Sequence, residues 1–303
     1  MKILITGGAG FQGSHLAERC LDSGHQVTLL NTLSDDAEDN ISSFRDRVSV
    51  VWGSVTDAEI VEKTVRGQDV VVHMAARINV DESLADPRSF LDVNVWGTLN
   101  VLEAVRQSGS RLIHASTCEV YGYGQQSPLS EHAELNPYSP YAASKAAADR
   151  MCFGYHKSFG VDVTILRPSN VYGPRQKAGA GGAVISIFTS LAASGKPLKV
   201  FGTGDQRREY IHVTDLVNAY DLVLKRDDLS GATINVGSGE TPSIGEIASF
   251  ISEKMGVPIH RDSPRPGEVP GFALDCSFIR SLGYKTNVRF QDGLGQYLDQ
   301  RIP

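Results

Sequence analysis

The chain has 303 residues and a formal net charge of −6, from 29 basic and 35 acidic side chains. It is long enough to bury a large core in one or two domains, and no basic run marks a nucleic-acid partner. Cys20, Cys118, Cys152 and Cys276 show no paired spacing, the eight histidines form no ligand pattern, and no apolar run could span a bilayer; a soluble cytoplasmic protein without disulfides, structural metal or membrane association is expected.

The first element is an apolar run from Lys2 to Thr6, which reads as a buried strand at the centre of a parallel sheet. A glycine-rich turn follows at once, Thr6-Gly7-Gly8-Ala9-Gly10-Phe11-Gln12-Gly13. Phe11 through Ser23 then carries helical spacing through Leu16 and Cys20, with Gly24 as its stop. Glycines at 7, 10 and 13 let the backbone turn sharply and approach a pyrophosphate, which the free N–H groups of the helix start attract. This strand–glycine–helix context favours a dinucleotide cradle over a surface turn. The second strand, Gln26 to Leu30, ends in Asn31, where an acid that grips the adenosine ribose is usual. Asn lacks the charge that repels a 2′-phosphate, but no Arg or Lys follows before Arg45 to receive one. NAD is therefore expected, with NADP as the alternative.

Strand-like runs at 48–52, 69–73, 111–115 and 162–166 alternate with amphipathic stretches such as 89–107 and 140–158. The alternation predicts an α/β fold with a doubly wound parallel sheet. From about 167 the texture changes, with Pro168, Pro174 and a glycine cluster at 179–182, and a βα return follows around 210–226. The expected division is a nucleotide-binding domain of 1–166 plus about 207–236, and a smaller C-terminal α/β substrate domain of about 167–206 plus 237–303. Ligand is expected in the crevice beyond the C-terminal ends of the strands.

Ser139 can cap, and Pro140 can open, a helix that carries Tyr141 and Lys145 one turn apart. A free tyrosine titrates near 10, too high for a base at neutral pH. A neighbouring ammonium and a cationic nicotinamide ring would both favour tyrosinate. The simpler reading is a partly buried tyrosine beside a surface lysine, but none of the other tyrosines has Lys four residues later. Combined with the cofactor turn, the pair reads as catalytic.

With these residues in place, the chain resembles the extended short-chain dehydrogenase/reductase family, specifically its NAD-dependent nucleotide-sugar epimerases and dehydratases. The matching landmarks run from Gly7/Gly10/Gly13 through His73-Met-Ala-Ala76, Asn94-Val-Trp-Gly-Thr98, Ser116-Thr-Cys-Glu-Val-Tyr-Gly122 and Tyr141-x-x-x-Lys145. They continue with Arg167-Pro-Ser-Asn-Val-Tyr-Gly-Pro174, Arg207-Arg-Glu-Tyr-Ile-His212 and Arg265-Pro-Gly-Glu268. The resemblance implies a Rossmann-type domain, bound NAD, a nucleotide-sugar substrate and a homodimer packed through helices 89–107 and 140–158. It implies a cofactor site of Gly7, Gly10, Phe11, Gln12, Gly13, Asn31, Ser54, Val55, Ala75, Ala76, Asn94, Ser116, Tyr141, Lys145 and Pro168. Asn31, Ser54 and Gln12 depart from the residues usual at those places.

By the same resemblance Tyr141 is the base that deprotonates the sugar C4 hydroxyl, Lys145 lowers its pKa, and Thr117 bonds the same oxygen. Glu119 matches the dehydratases, where a carboxylate removes the C5 proton. The acid position beside it holds Cys118, and the Thr-Cys-Glu order is similar to an unusual 5,6-dehydratase. Val171-Tyr-Gly-Pro-Arg-Gln176 and Gly181-Gly-Ala-Val-Ile-Ser-Ile-Phe188 look more like the 4-epimerases. A dehydratase is favoured, with a 4-epimerase as the alternative and a cofactor-binding protein without catalysis as the reading from another class. Glu119 as a solvated carboxylate and Cys118 as a space-filler remain open. Thr117, Asn170, Arg208 and Arg265 are the expected substrate contacts, the arginines because a planar fork pairs with phosphate oxygens.

Overall fold

A computed structural model describes residues 1–123, 125–177, 183–264 and 271–300. Eleven strands are present among them: β1 Lys2–Thr6, β2 Gln26–Asn31, β3 Ser49–Trp52, β4 Val70–His73, β5 Arg111–Ala115, β6 Val163–Pro168, β7 Asn170–Tyr172, β8 Leu198–Phe201, β9 Tyr210–His212, β10 Thr233–Val236 and β11 Ile259–Asp262. Seven of these pair in parallel in the order β10-β6-β5-β4-β1-β2-β3, with β1 inside the sheet as expected. The uninterrupted apolar sequence of β1 has a direct cause: both faces are covered. Ile3 and Ile5 pack with Leu16, Leu216 and Tyr220, whereas Leu4 packs with Val71, Val101, Leu102 and Leu112.

The βα return forms as β9 followed by the helix Val213–Leu224. Tyr210–His212 does not join the large sheet but pairs with β7 in a two-stranded one. The seventh strand of the large sheet is Thr233–Val236, alongside β6. β8 and β11 make the second small sheet, and a third core with Phe188, Ile247, Ile251, Phe290 and Leu294 lies in the C-terminal part. Two polar contacts tie the segment after β7 onto the helix Phe11–Asp22: Arg175 Nη2 donates to Glu18 Oε2 at 2.7 Å, and the His15 ring bonds the Pro174 carbonyl at 2.9 Å.

Local signals set the helix that carries the Tyr–Lys pair. It runs Pro140–Phe159, with Pro in its first turn, Ser139 Oγ accepting from Ala142 N at 3.1 Å, and Gly160 closing it at φ 69°. The expected helix at 89–107 is Pro87–Phe90 and Gly97–Ser108, joined by a wider π-helical stretch at Leu91–Trp96.

Candidate active site

The chain between β1 and β4 reverses the strand order, and the loops at that point open onto a cleft of about 1450 Å³. Every loop that leaves a C-terminal strand end nearby contributes to it: Gly7–Gly13 after β1, Asn31 at the end of β2, Ser54 and Val55 after β3, Ala75 and Ala76 after β4. Ser116, Thr117, Cys118 and Glu119 follow β5, and Pro168 and Asn170 flank the end of β6. Tyr141 and Lys145 reach in from their helix, and Arg208 stands just before β9. Arg265 lies outside the described residues.

The glycine turn fits a dinucleotide. A side chain at Gly13 would place its Cβ 2.3 Å from the Gly7 carbonyl oxygen, and one at Gly7, whose φ is 71°, would meet the Ala75 backbone nitrogen at 2.8 Å. No side chain caps the helix start at Gly10 and no acid stands in its first turn, so the N–H groups there remain available to an anion. Asn31 is turned back onto the turn: its Oδ1 accepts from Ala9 N at 3.2 Å and its Nδ2 donates to the Thr32 carbonyl. The next helix opens with Asp35, Asp36 and Glu38, a negative charge set against a 2′-phosphate at the end of β2. Ser54 Oγ bonds Thr56 Oγ1 at 2.8 Å and keeps its place on the cleft wall.

Asn94 stands apart from the other described candidates, behind the wall. It is 1% exposed, and its amide is spent inside the protein. Oδ1 accepts from Arg77 N at 2.8 Å, and Nδ2 donates to the Arg77 carbonyl at 3.0 Å and to Ser144 Oγ at 2.8 Å. Through those bonds it fixes the loop after β4 against the Tyr–Lys helix, so what it offers is position.

Lys145 is buried, and its ammonium donates to the Ala115 carbonyl of β5 at 2.6 Å. Burial lowers its pKa to about 8, against the smaller raising effects of Cys152 and Asp149. Tyr141 is buried too, its phenol hydrogen-bonded with Thr117. Burial pushes the phenol well above its ordinary value, Thr117 pulls it down, and Glu119 and Cys118 push it further up. The depression expected from Lys145 is thus not built into the protein by itself, because the ammonium is held by β5 and desolvation dominates.

The turn Cys118–Tyr121 after β5 begins at Thr117, whose hydroxyl accepts from Glu119 N at 3.2 Å. Glu119 is partly buried; desolvation raises its carboxyl, while Arg208 and the Tyr123 hydroxyl, which donates to it at 3.4 Å, act the other way. The Cys118 thiol is 2% exposed. Burial, Glu119 and Glu209 hold its pKa well above the usual range, so it keeps its proton and releases it reluctantly.

On the substrate side, Asn170 Nδ2 donates to the Glu209 carbonyl at 3.0 Å. The Arg208 guanidinium lies 5.4 Å from the centre of the Tyr123 ring. Tyr123 was not among the residues expected from sequence, although it lines the cleft, bonds Glu119 and stacks with Tyr138 at 5.3 Å. Its only sequence signal is an aromatic residue just past the Ser116–Gly122 landmark.

Comparison with known proteins agrees with this geometry. A family model described as "NAD dependent epimerase/dehydratase family" matches residues 3–237. The chain is 35% identical to a dTDP-glucose 4,6-dehydratase of Streptomyces niveus over 308 residues, covering 97% of this chain and 90% of that one. It is 34% identical to a UDP-glucose 4-epimerase of Mycolicibacterium smegmatis over 307 residues, covering 99% and 98%. The structure of a dTDP-glucose 4,6-dehydratase from Streptomyces venezuelae, solved with NAD bound, superposes with a TM-score of 0.91 at 33% identity, covering 99% of this chain and 96% of that one. With a glycine cradle after β1, a Tyr–Lys helix across the cleft and this likeness along nearly its whole length, the chain belongs to the NAD-dependent epimerase/dehydratase family, the nucleotide-sugar branch of the extended short-chain dehydrogenases/reductases.

Proposed function

We propose that the enzyme is a nucleotide-sugar dehydratase that works through transient oxidation at the sugar C4. The observation that carries this reading is Glu119, a partly buried carboxyl in the cleft, two residues past Thr117 and raised by burial toward the range of a working base. A 4-epimerase has no proton to remove at C5, whereas an eliminating enzyme must remove one.

NAD, when bound, accepts hydride from C4 and later returns it. The N-terminus of the helix after Gly7, Gly10 and Gly13 would hold its pyrophosphate, and Asn31, Ser54 and Val55 would serve the adenosine end. Tyr141 takes the C4 hydroxyl proton while Thr117 bonds the same oxygen, and Lys145, protonated below its pKa of about 8, favours the tyrosinate. The C4 ketone then acidifies the C5 proton, which passes to Glu119 as the C6 hydroxyl leaves with a proton as water. Cys118 is the adjacent donor candidate; its proton is present at every working pH, but its raised pKa makes it a weaker acid than a carboxyl. A 4-keto-6-deoxy sugar would result if hydride were delivered to C6 and Glu119 gave its proton back to C5, and a 5,6-alkene if hydride were delivered to C4 and Tyr141 gave its proton back to the C4 oxygen. Arg208 and Asn170, which line the cleft, are assigned to the diphosphate and sugar, and the family resemblance adds Arg265.

Mass spectrometry after incubation with NAD and UDP-, dTDP-, GDP- and CDP-hexoses tests the reading. Loss of one water is expected. A product of unchanged mass with inverted C4 would make the enzyme a 4-epimerase, the activity named for one of the three relatives compared above.

We also infer a homodimer. Leu91, Trp96, Phe153 and Phe159 are exposed on the two helices that the family resemblance singles out, with Trp96 at 59% and Phe159 at 58%. Among the described residues no helix is long and apolar enough to cross a membrane, so this apolar face is not part of a spanning helix. Sedimentation should give twice the chain mass, and Trp96→Glu should halve it; a monomeric wild-type protein would refute the pairing.

A further inference from the structure

The three segments that carry the proposed machinery meet on one buried ion pair. Asp149 stands one turn beyond Lys145 on the helix Pro140–Phe159, and Arg167 stands near the end of β6, next to Pro168. Their side chains are 0% and 1% exposed. The guanidinium grips the carboxylate twice, Nε to Oδ2 at 2.8 Å and Nη2 to Oδ1 at 2.9 Å. From each partner a bond runs on to the turn after β5. Ser116 Oγ donates to Asp149 Oδ2 at 2.7 Å, and Arg167 Nη1 donates to the Tyr121 hydroxyl at 2.9 Å. Tyr121 in turn donates to Asn235 Oδ1 of β10 at 2.6 Å. Ser116 and Tyr121 bracket Thr117, Cys118 and Glu119.

A buried ion pair is weak support for stability, because well-packed apolar residues of similar volume commonly do as well or better. What it supplies here is geometry. A planar fork with two bonds fixes distance and orientation together, whereas apolar contacts allow a helix to slide and roll. We propose that Asp149 and Arg167 are positioning residues, which set the register of the Tyr141–Lys145 helix against the Thr117–Glu119 turn so that the phenol and the Thr117 hydroxyl reach one substrate oxygen. The inference rests on the roles given above to Tyr141 and Thr117. It does not depend on whether elimination or epimerisation follows, because both begin with oxidation at C4.

The test is the double substitution Asp149→Leu with Arg167→Met, which keeps the volume and removes both charges. Reduction of the bound cofactor, read by its absorbance when UDP- or dTDP-glucose is added, reports the first step. Lack of any such signal in the wild-type enzyme would count against the proposed function; the ratio of variant to wild type addresses the pair. The variant is expected to melt at the wild-type temperature and to bind NAD normally, with the reduction rate and kcat lowered about a hundredfold at unchanged KM, the effect of misplacing a reacting group by about 1 Å. A folded double variant with wild-type kcat would overturn the proposal. If the double variant does not fold, Arg167→Lys and Tyr121→Phe decide. Each is expected to lose roughly tenfold in kcat with KM unchanged, since a single ammonium cannot hold both Asp149 oxygens and Tyr121 together. Wild-type kcat in both would refute it.

Discussion

Tyr141→Phe should lower turnover by roughly a thousandfold, about 4 kcal/mol of barrier, while NAD binding and melting temperature stay as they are. The phenol is buried and hydrogen-bonded with Thr117, so removing the oxygen leaves a hydroxyl that can turn to substrate or water and an otherwise unchanged ring packed edge-on against Phe90. Burial keeps the phenol protonated through neutral pH in the protein by itself. Its deprotonation therefore needs the positive charge brought by the bound cofactor together with the Lys145 ammonium. Lys145 has a pKa depressed to about 8, so it is charged below that value and neutral above it. Steady-state rates with the nucleotide sugar selected by the mass-spectrometric screen check the substitution. Turnover within a few-fold of wild type would remove Tyr141 from the mechanism.

The second large effect is expected from Glu119→Gln, which keeps the shape of the side chain and removes the base. Water elimination should fall by roughly 10²–10⁴-fold, while reduction of the cofactor on adding substrate persists, because C4 oxidation does not need Glu119. Uptake of solvent deuterium at C5 should disappear with it. The pH dependence follows from the direction of the shift. Burial raises the Glu119 pKa, and the base works only when ionised, so the acid limb of kcat lies above the usual carboxylate range. In that window the folded state binds more protons than the unfolded one, so this group's contribution to stability declines as pH rises through it. The Gln variant loses that decline and should be at least as stable as wild type at neutral pH. Full elimination activity in the variant would leave Glu119 as a spectator and reopen the epimerase reading.

Much of the site was legible because its signals are local. The glycines of the first turn, the Ser139 cap and Pro140, and the four-residue spacing of Tyr141 and Lys145 each act through neighbouring backbone, which a sequence displays directly. The six strand runs expected before residue 167 all appear in the large sheet, because strands inside a parallel sheet are rich in Val, Ile and Leu. The seventh was missed for the opposite reason. Thr233-Ile-Asn-Val236 is short and carries a buried Asn whose amide serves Tyr121, Leu129 and Asp275, so its polar residue reads as a loop until those partners arrive.

By itself, then, the sequence determined the parallel sheet, the glycine turn at a helix start and the Tyr141–Lys145 spacing on one helix face, since each follows from periodicity or spacing within one element. Only the tertiary structure decided how far those groups are from their free behaviour. Asp149 looks like a helix-surface acid and Arg167 like a strand-end cation until folding buries them against each other. Nothing in the sequence around Asn94 shows that its amide is bonded to Arg77 and Ser144 from distant parts of the chain. Burial raises Tyr141 and Glu119 and lowers Lys145, and burial is a property of what packs around a residue from distant parts of the chain.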